Sequence, residues 1–150
     1  IGRIYLLFGI FIIYAGHVIT KALIERFSTK TAIIVSNCIM LSGILLFAFV
    51  QSKATAVIGV FLLSVATSFG YAVQSTHYST TPAVGEYGES KAMGIYSLFD
   101  NGGQTLGPVV YGLALLLGYR DGLIAISCGL LTLTLLFLIL NIEKMKRKEN

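Results

Sequence analysis

Tyr96-Ser97-Leu98-Phe99-Asp100-Asn101-Gly102-Gly103-Gln104-Thr105-Leu106-Gly107-Pro108-Val109-Val110-Tyr111-Gly112 is the stretch whose reading decides the fold. It lies inside a segment, 91–118, that is otherwise apolar enough to cross a bilayer, and it carries a carboxylate, Asp100. With a helix opening near Ser90 and roughly 1.5 Å of rise per residue, Asp100 falls about 15 Å deep, near the middle of a hydrocarbon core about 30 Å thick. An Asp at that depth is unfavourable by about 2.5–3.5 kcal/mol on insertion scales, so such residues face other helices or water and mark substrate or proton routes. The competing reading is a structural carboxylate that ties two helices together.

Positions three and four apart share a helix face, which puts Tyr96, Asp100, Gly103 or Gln104, Gly107 and Tyr111 on one stripe of polar or small residues. Gly103 and Gly107 have the small-xxx-small spacing that lets membrane helices approach closely. Pro108 lacks the amide that would bond the Gln104 carbonyl, which leaves that carbonyl to a ligand, a water or a hinge. Gly103, Gly107, Pro108 and Gly112 are therefore expected to serve helix packing and bending.

Composition sets the solvent. Of 150 residues, 55% are hydrophobic and 12% charged, with mean hydropathy +0.82; soluble domains carry about 25% charged residues. The net charge of +4 does not point to nucleic acid, because the basic residues gather in loops and a tail, as membrane orientation requires. Cys38 and Cys128 have no CxxC or CxxH partner and read as small packing residues, not as metal ligands or a disulfide.

Five segments are long enough to span: 4–24, 31–50, 54–78, 91–118 and 122–142, where about 20 residues are needed. They predict an all-α polytopic bundle in one unit, 1–150, with short connections. The longest connection, 79–90, holds the breakers Pro82, Gly85 and Gly88, and Ser90 is a cap candidate for the fourth helix. Lys21, Arg26, Lys30, Lys91 and the basic tail fall on one side, with Arg3, Lys53 and Arg120 on the other. The positive-inside rule makes the first side, and the carboxy terminus, cytoplasmic at the plasma membrane. An odd number of spans and a first residue Ile1 in place of Met lead us to expect a fragment of a larger protein.

The spans differ in facial polarity. In 54–78, Ser64, Thr67 or Ser68, Tyr71, Gln74 or Ser75 and Tyr78 recur at helical spacing, a face expected to line a wet cavity or meet another polar helix. The second and fifth spans are apolar nearly all round and are expected toward lipid. His17 and His77 are relay candidates, since histidine as a residue type titrates near neutral pH, or residues that simply meet headgroups and loop carbonyls. No HExxH, GxSxG, P-loop or dinucleotide fingerprint occurs, so no enzyme and no cofactor is expected.

The loop Lys21-Ala22-Leu23-Ile24-Glu25-Arg26-Phe27-Ser28-Thr29-Lys30 resembles a degenerate copy of the major facilitator superfamily motif Gly-x-Leu-x-Asp-Arg-x-Gly-basic-basic. Leu23, Glu25, Arg26 and Lys30 fit it, while Lys21 and Ser28 replace its glycines and Thr29 a basic residue. The resemblance implies that the five spans match the family's eighth to twelfth helices, part of a six-helix half, with the seventh helix and the amino-terminal half missing. It also implies that the tenth helix lines the central cavity, the eighth and eleventh flank it, and the ninth and twelfth pack outside. Gly103-xxx-Gly107-Pro108-xxx-Gly112 resembles the antiporter glycine-proline motif, but at the symmetry-related position, so it does not by itself indicate antiport.

Together these imply a secondary transporter moving a small solute by alternating access, coupled to protons. Asp100, Asn101, Gln104 and Tyr96, with Tyr71 and Gln74 from the third span, would bind substrate or proton, and Glu25, Arg26 and Lys30 would form a cytoplasmic latch. The expected partners are the solute, protons, the lipid bilayer and the missing half, with no nucleic acid. The rival reading is a non-transporting receptor or assembly scaffold with the same bundle.

Overall fold

Ser28 opens the first long helix. Its backbone is extended and its hydroxyl accepts from the Thr31 amide at 3.3 Å, filling one of the donors a helix start leaves unpaired. A computed structural model of the chain describes Gly9, Val18, Lys21, Ala22, Glu25, Arg26, 28–50 and 52–149, with only the backbone at Ala83 and 142–149. Almost all of the expected span 4–24 lies outside the described residues. Helix α1 is Thr29–Phe49, α2 Lys53–Ser79, α3 Pro82–Tyr87, α4 Glu89–Leu115 and α5 Tyr119–Glu149. Among the described residues every regular element is an α-helix.

Local chemistry sets the breaks. Ser52 caps α2 as Ser28 caps α1, accepting from the Thr55 amide at 3.2 Å. The connection expected at 79–90 folds in part into α3, which carries Pro82 in its first turn, where the missing amide is harmless. Gly88, at φ 84, then turns the chain into α4, a backbone conformation other residues adopt only with strain. Ser90 is thus inside α4, and the expected cap is replaced by a glycine corner with no side-chain cap. Gly118, at φ 105, makes the same kind of corner between α4 and α5. The last helix outruns its expected end at 142 because Lys, Glu and Arg continue a helix readily.

Among the described residues three helices are long and apolar enough to cross a membrane: Thr29–Phe49, Lys53–Ser79 and Tyr119–Asn141. The fourth, α4, has the length, but its glycines and polar stripe keep it less apolar.

Helix α1 lies between α2 and α5. Lipid tails are as apolar as leucine, so helices in a bilayer associate through close packing and hydrogen bonds. The α1–α2 seam is built that way. A methyl group on Gly59 would sit 2.7 Å from Phe47 Cε2, one on Gly43 3.1 Å from Leu63 Cγ, and one on Gly70 would meet the Ser36 hydroxyl. Ser36 Oγ donates to the Ala66 carbonyl at 2.9 Å. Around this seam, Ala32, Ile33, Phe69 and Val73 form one buried cluster that Phe137 of α5 completes. Ile44, Ala48 and Leu123 form a second. On the other side of α1, Asn37 Nδ2 donates to Thr134 Oγ1 at 3.1 Å, and the Thr134 hydroxyl in turn donates to the Leu130 carbonyl at 2.8 Å.

The expectation that the second span turns toward lipid is thus corrected. It is apolar all round, yet Ser36 and Asn37 hold it to both neighbours. The cysteines are corrected too, since Cys38 and Cys128 are free and exposed instead of packed. Where α4 folds back onto α5, a side chain at Gly122 would meet the Ala114 backbone, with the carbonyl carbon 2.7 Å away. Gly70→Leu should therefore lower stability by about 1–3 kcal/mol by overpacking, and Ser36→Ala by about 0.6 kcal/mol. Gly129→Ala, with open space around it, should leave the unfolding midpoint of the detergent-solubilised protein unchanged.

Candidate functional site on the α2–α4 seam

Only Ala92 is buried on α4; its long apolar side chains Leu98 and Phe99 are 72% and 76% exposed. The helix reaches the rest of the bundle through α5, through the α3 corner, and through a set of tyrosines shared with α2. Tyr96 projects between two rings of α2. Its ring centroid is 5.3 Å from that of Tyr78 and 6.4 Å from that of Tyr71, both tilted, within the range at which aromatic pairs attract. Tyr71 and Tyr78 are seven residues apart, two turns of one face, so a single α4 side chain can touch both.

One turn beyond Tyr96 stands Asp100, half-buried, with Gln104 a turn further. Gln104 Nε2 donates to Asp100 Oδ2 at 3.0 Å. The i, i+4 spacing makes this contact within the helix, so the carboxylate is oriented by its own helix and needs no second one to hold it. Among the described residues Asp100 forms no ion pair. Lys91, the basic residue on the same helix, is nine positions back and sits 5.6 Å over the Tyr87 ring.

The remaining expected residues fall into separate places. Asn101 is exposed beside Asp100, and its carbonyl accepts from Thr105 Oγ1 at 2.9 Å. Gln74 is exposed on α2 between Tyr71 and Tyr78. At Gly103, Gly107 and Gly112 an added methyl group would find nothing within 4 Å, so these glycines make no close helix contact among the described residues. The helix passes through Pro108 unbroken. Glu25 pairs with Lys21 at 4.0 Å within one helical turn, both ends exposed, and not with Arg26 or Lys30.

His77 joins three helices. Its Nδ1 is 3.3 Å from Thr29 Oγ1 of α1, and its ring meets Phe137 of α5 edge-on at 5.8 Å. His17 lies outside the described residues. Tyr78 completes the tyrosine group and was not among the expected site residues, although its two-turn spacing from Tyr71 was there to find. No group of three or more His, Cys, Asp or Glu able to hold a metal occurs among the described residues.

The family model of the Major Facilitator Superfamily matches residues 1–150. The chain belongs to the major facilitator superfamily. No curated protein and no solved structure matches it significantly. Membership makes it a multi-pass membrane protein of the transporter kind, with a solute as substrate and the bilayer as surroundings. In this superfamily member the polar face of α2 and the carboxylate of α4 share one side of the bundle.

Tyr96→Ala removes two aromatic pairs and should destabilise by about 0.5–1.5 kcal/mol for each, seen as a lower unfolding midpoint in detergent. Tyr96→Phe keeps both pairs and should match the parent.

Proposed function

We propose that the chain forms the carboxy-terminal bundle of a secondary active transporter that carries a small solute across the plasma membrane by alternating access, coupled to protons. The observation that carries this is Asp100. It lies eleven residues after Glu89 in the helix Glu89–Leu115, about 17 Å along the axis, which we take to be near mid-membrane, and the only hydrogen bond to its carboxylate among the described residues comes from Gln104.

A carboxylate so placed switches between two electrostatic states. Ionised, it favours a wet or cation-bearing surrounding; protonated, it is neutral and its helix moves through a drier one at lower cost. Coupling follows when solute and proton compete for, or share, that group. The open glycine stripe of α4 supports a second bundle against this face, since small residues at such spacing let helices approach and slide. The hydrogen bond between Thr29 and His77 holds the start of α1 beside the end of α2. That arrangement supports Lys30, Lys91 and the basic tail sharing a cytoplasmic side, with Glu25, Arg26 and Lys30 as a latch there.

The test needs no known substrate. In the full-length protein, freed of native cysteines and reconstituted in oriented vesicles, Gln74→Cys should react with a membrane-impermeant maleimide from both sides, in proportions that shift with an imposed pH gradient. Asp100→Asn should abolish the shift while retaining reactivity. Reaction from one side alone, under every gradient, would show a static receptor or scaffold.

A further inference from the structure

We propose that Asp100 and the rings of Tyr71, Tyr78 and Tyr96 form a subsite for an organic monocation, an ammonium or delocalised aromatic cation with apolar substituents. This deepens the transport reading and rests on it. The observation is a juxtaposition: a mid-helix carboxylate without an ion pair among the described residues, one helical turn from a ring that two further rings flank.

Each part of that set selects for the same chemistry. A carboxylate away from bulk water is stabilised most by a positive charge, and it repels anions. Aromatic faces attract a cation within about 6 Å of the centroid while offering apolar contact to its substituents. Phenol rings also accept a cation that is only weakly hydrated, which favours substituted ammonium over sodium. Tyr71 is 54% exposed, so part of its ring is open to a ligand. Gln104 occupies Asp100 Oδ2, which turns the carboxylate without neutralising it. The chain's own cations show the pairing twice: Arg120 lies 5.0 Å over the Phe49 ring and Lys91 5.6 Å over that of Tyr87. Both are at helix ends, away from Asp100, and neither satisfies it.

A neutral polyol could be read by the amides of Gln74, Asn101 and Gln104 and by the phenol hydroxyls, but it would leave the charge of Asp100 unmatched.

The deciding experiment uses the purified full-length transporter and three probes: tetraphenylphosphonium, benzyltrimethylammonium and tetraphenylborate, the last an anion with the shape of the first. Saturable binding of at least one cation is expected, with no saturable binding of tetraphenylborate when it is tested by itself. Asp100→Asn should weaken it tenfold or more, and Tyr96→Leu roughly 2- to 30-fold, with Tyr96→Phe close to the parent. If Asp100→Asn elutes as aggregate, Tyr96→Leu and Tyr71→Leu against Tyr96→Phe carry the decision. Failure of both cations to bind the folded parent, equal binding of the borate, or affinity unchanged in all folded variants overturns the subsite. Two-sided, gradient-dependent labelling of Gln74→Cys in that same preparation would leave the transport reading standing; one-sided labelling would remove it as well.

Discussion

Close approach of α1 and α2 is the constraint on which the rest of the structure depends. In lipid there is no water to drive leucines together, so two helices stay paired only where their backbones come near enough for dispersion and hydrogen bonding. Gly43, Gly59 and Gly70 supply that nearness, and Ser36 supplies the hydrogen bond. With α1 held against α2 along one side and α5 along another, Tyr71 and Tyr78 are kept at a set distance from α4. The candidate site is therefore positioned by a seam that contains none of its residues.

The glycines divide into two populations. Those of the α1–α2 seam and Gly122 are filled, each backed by a side chain or backbone where a methyl group would clash. Those on α4, at Gly94, Gly102, Gly103, Gly107 and Gly112, face open space among the described residues. A helix interior glycine destabilises by about 0.5–1 kcal/mol relative to alanine. Five on one helix with no close contact among the described residues make sense if a further element lies along them, and two of them, Gly103 and Gly107, share a face with Asp100.

How much of this was legible in the sequence follows the same division. The helical spacing of Tyr71 and Tyr78, and of Tyr96, Asp100 and Gln104, marked two polar faces, and the structure sets the tyrosines of one against the tyrosine of the other. Facial polarity is a one-helix property, so one chain of letters suffices to read it. The central place of α1 was not legible, because Ser36 and Asn37 look like incidental polar residues until Ala66 and Thr134 are placed opposite them. Which glycines are filled is likewise a two-helix property: Gly70 and Gly103 read alike, and only the neighbour distinguishes them. The α3 turn and the cap of α4 were missed for a local reason, since Gly88 at positive φ starts the helix at Glu89 without the side-chain cap that Ser90 advertised.

Asp100 is oriented by its own helix, and that bears on what it can do. A carboxylate paired with a basic residue on a facing helix is locked to that helix and contributes to its packing. Here the orienting group is Gln104, on the same helix, so the carboxylate travels with α4 and keeps its geometry whichever way the helix moves. The amide is a neutral donor, so it orients the carboxylate and leaves its charge uncompensated. A structural carboxylate would be arranged in the opposite way, with its charge matched and its position tied to a neighbour. Tyr96 supplies the tie instead, through rings whose attraction tolerates sliding and tilting better than a bidentate ion pair does. The charge is thus left without an ion-pair partner among the described residues, on a helix docked through its rings.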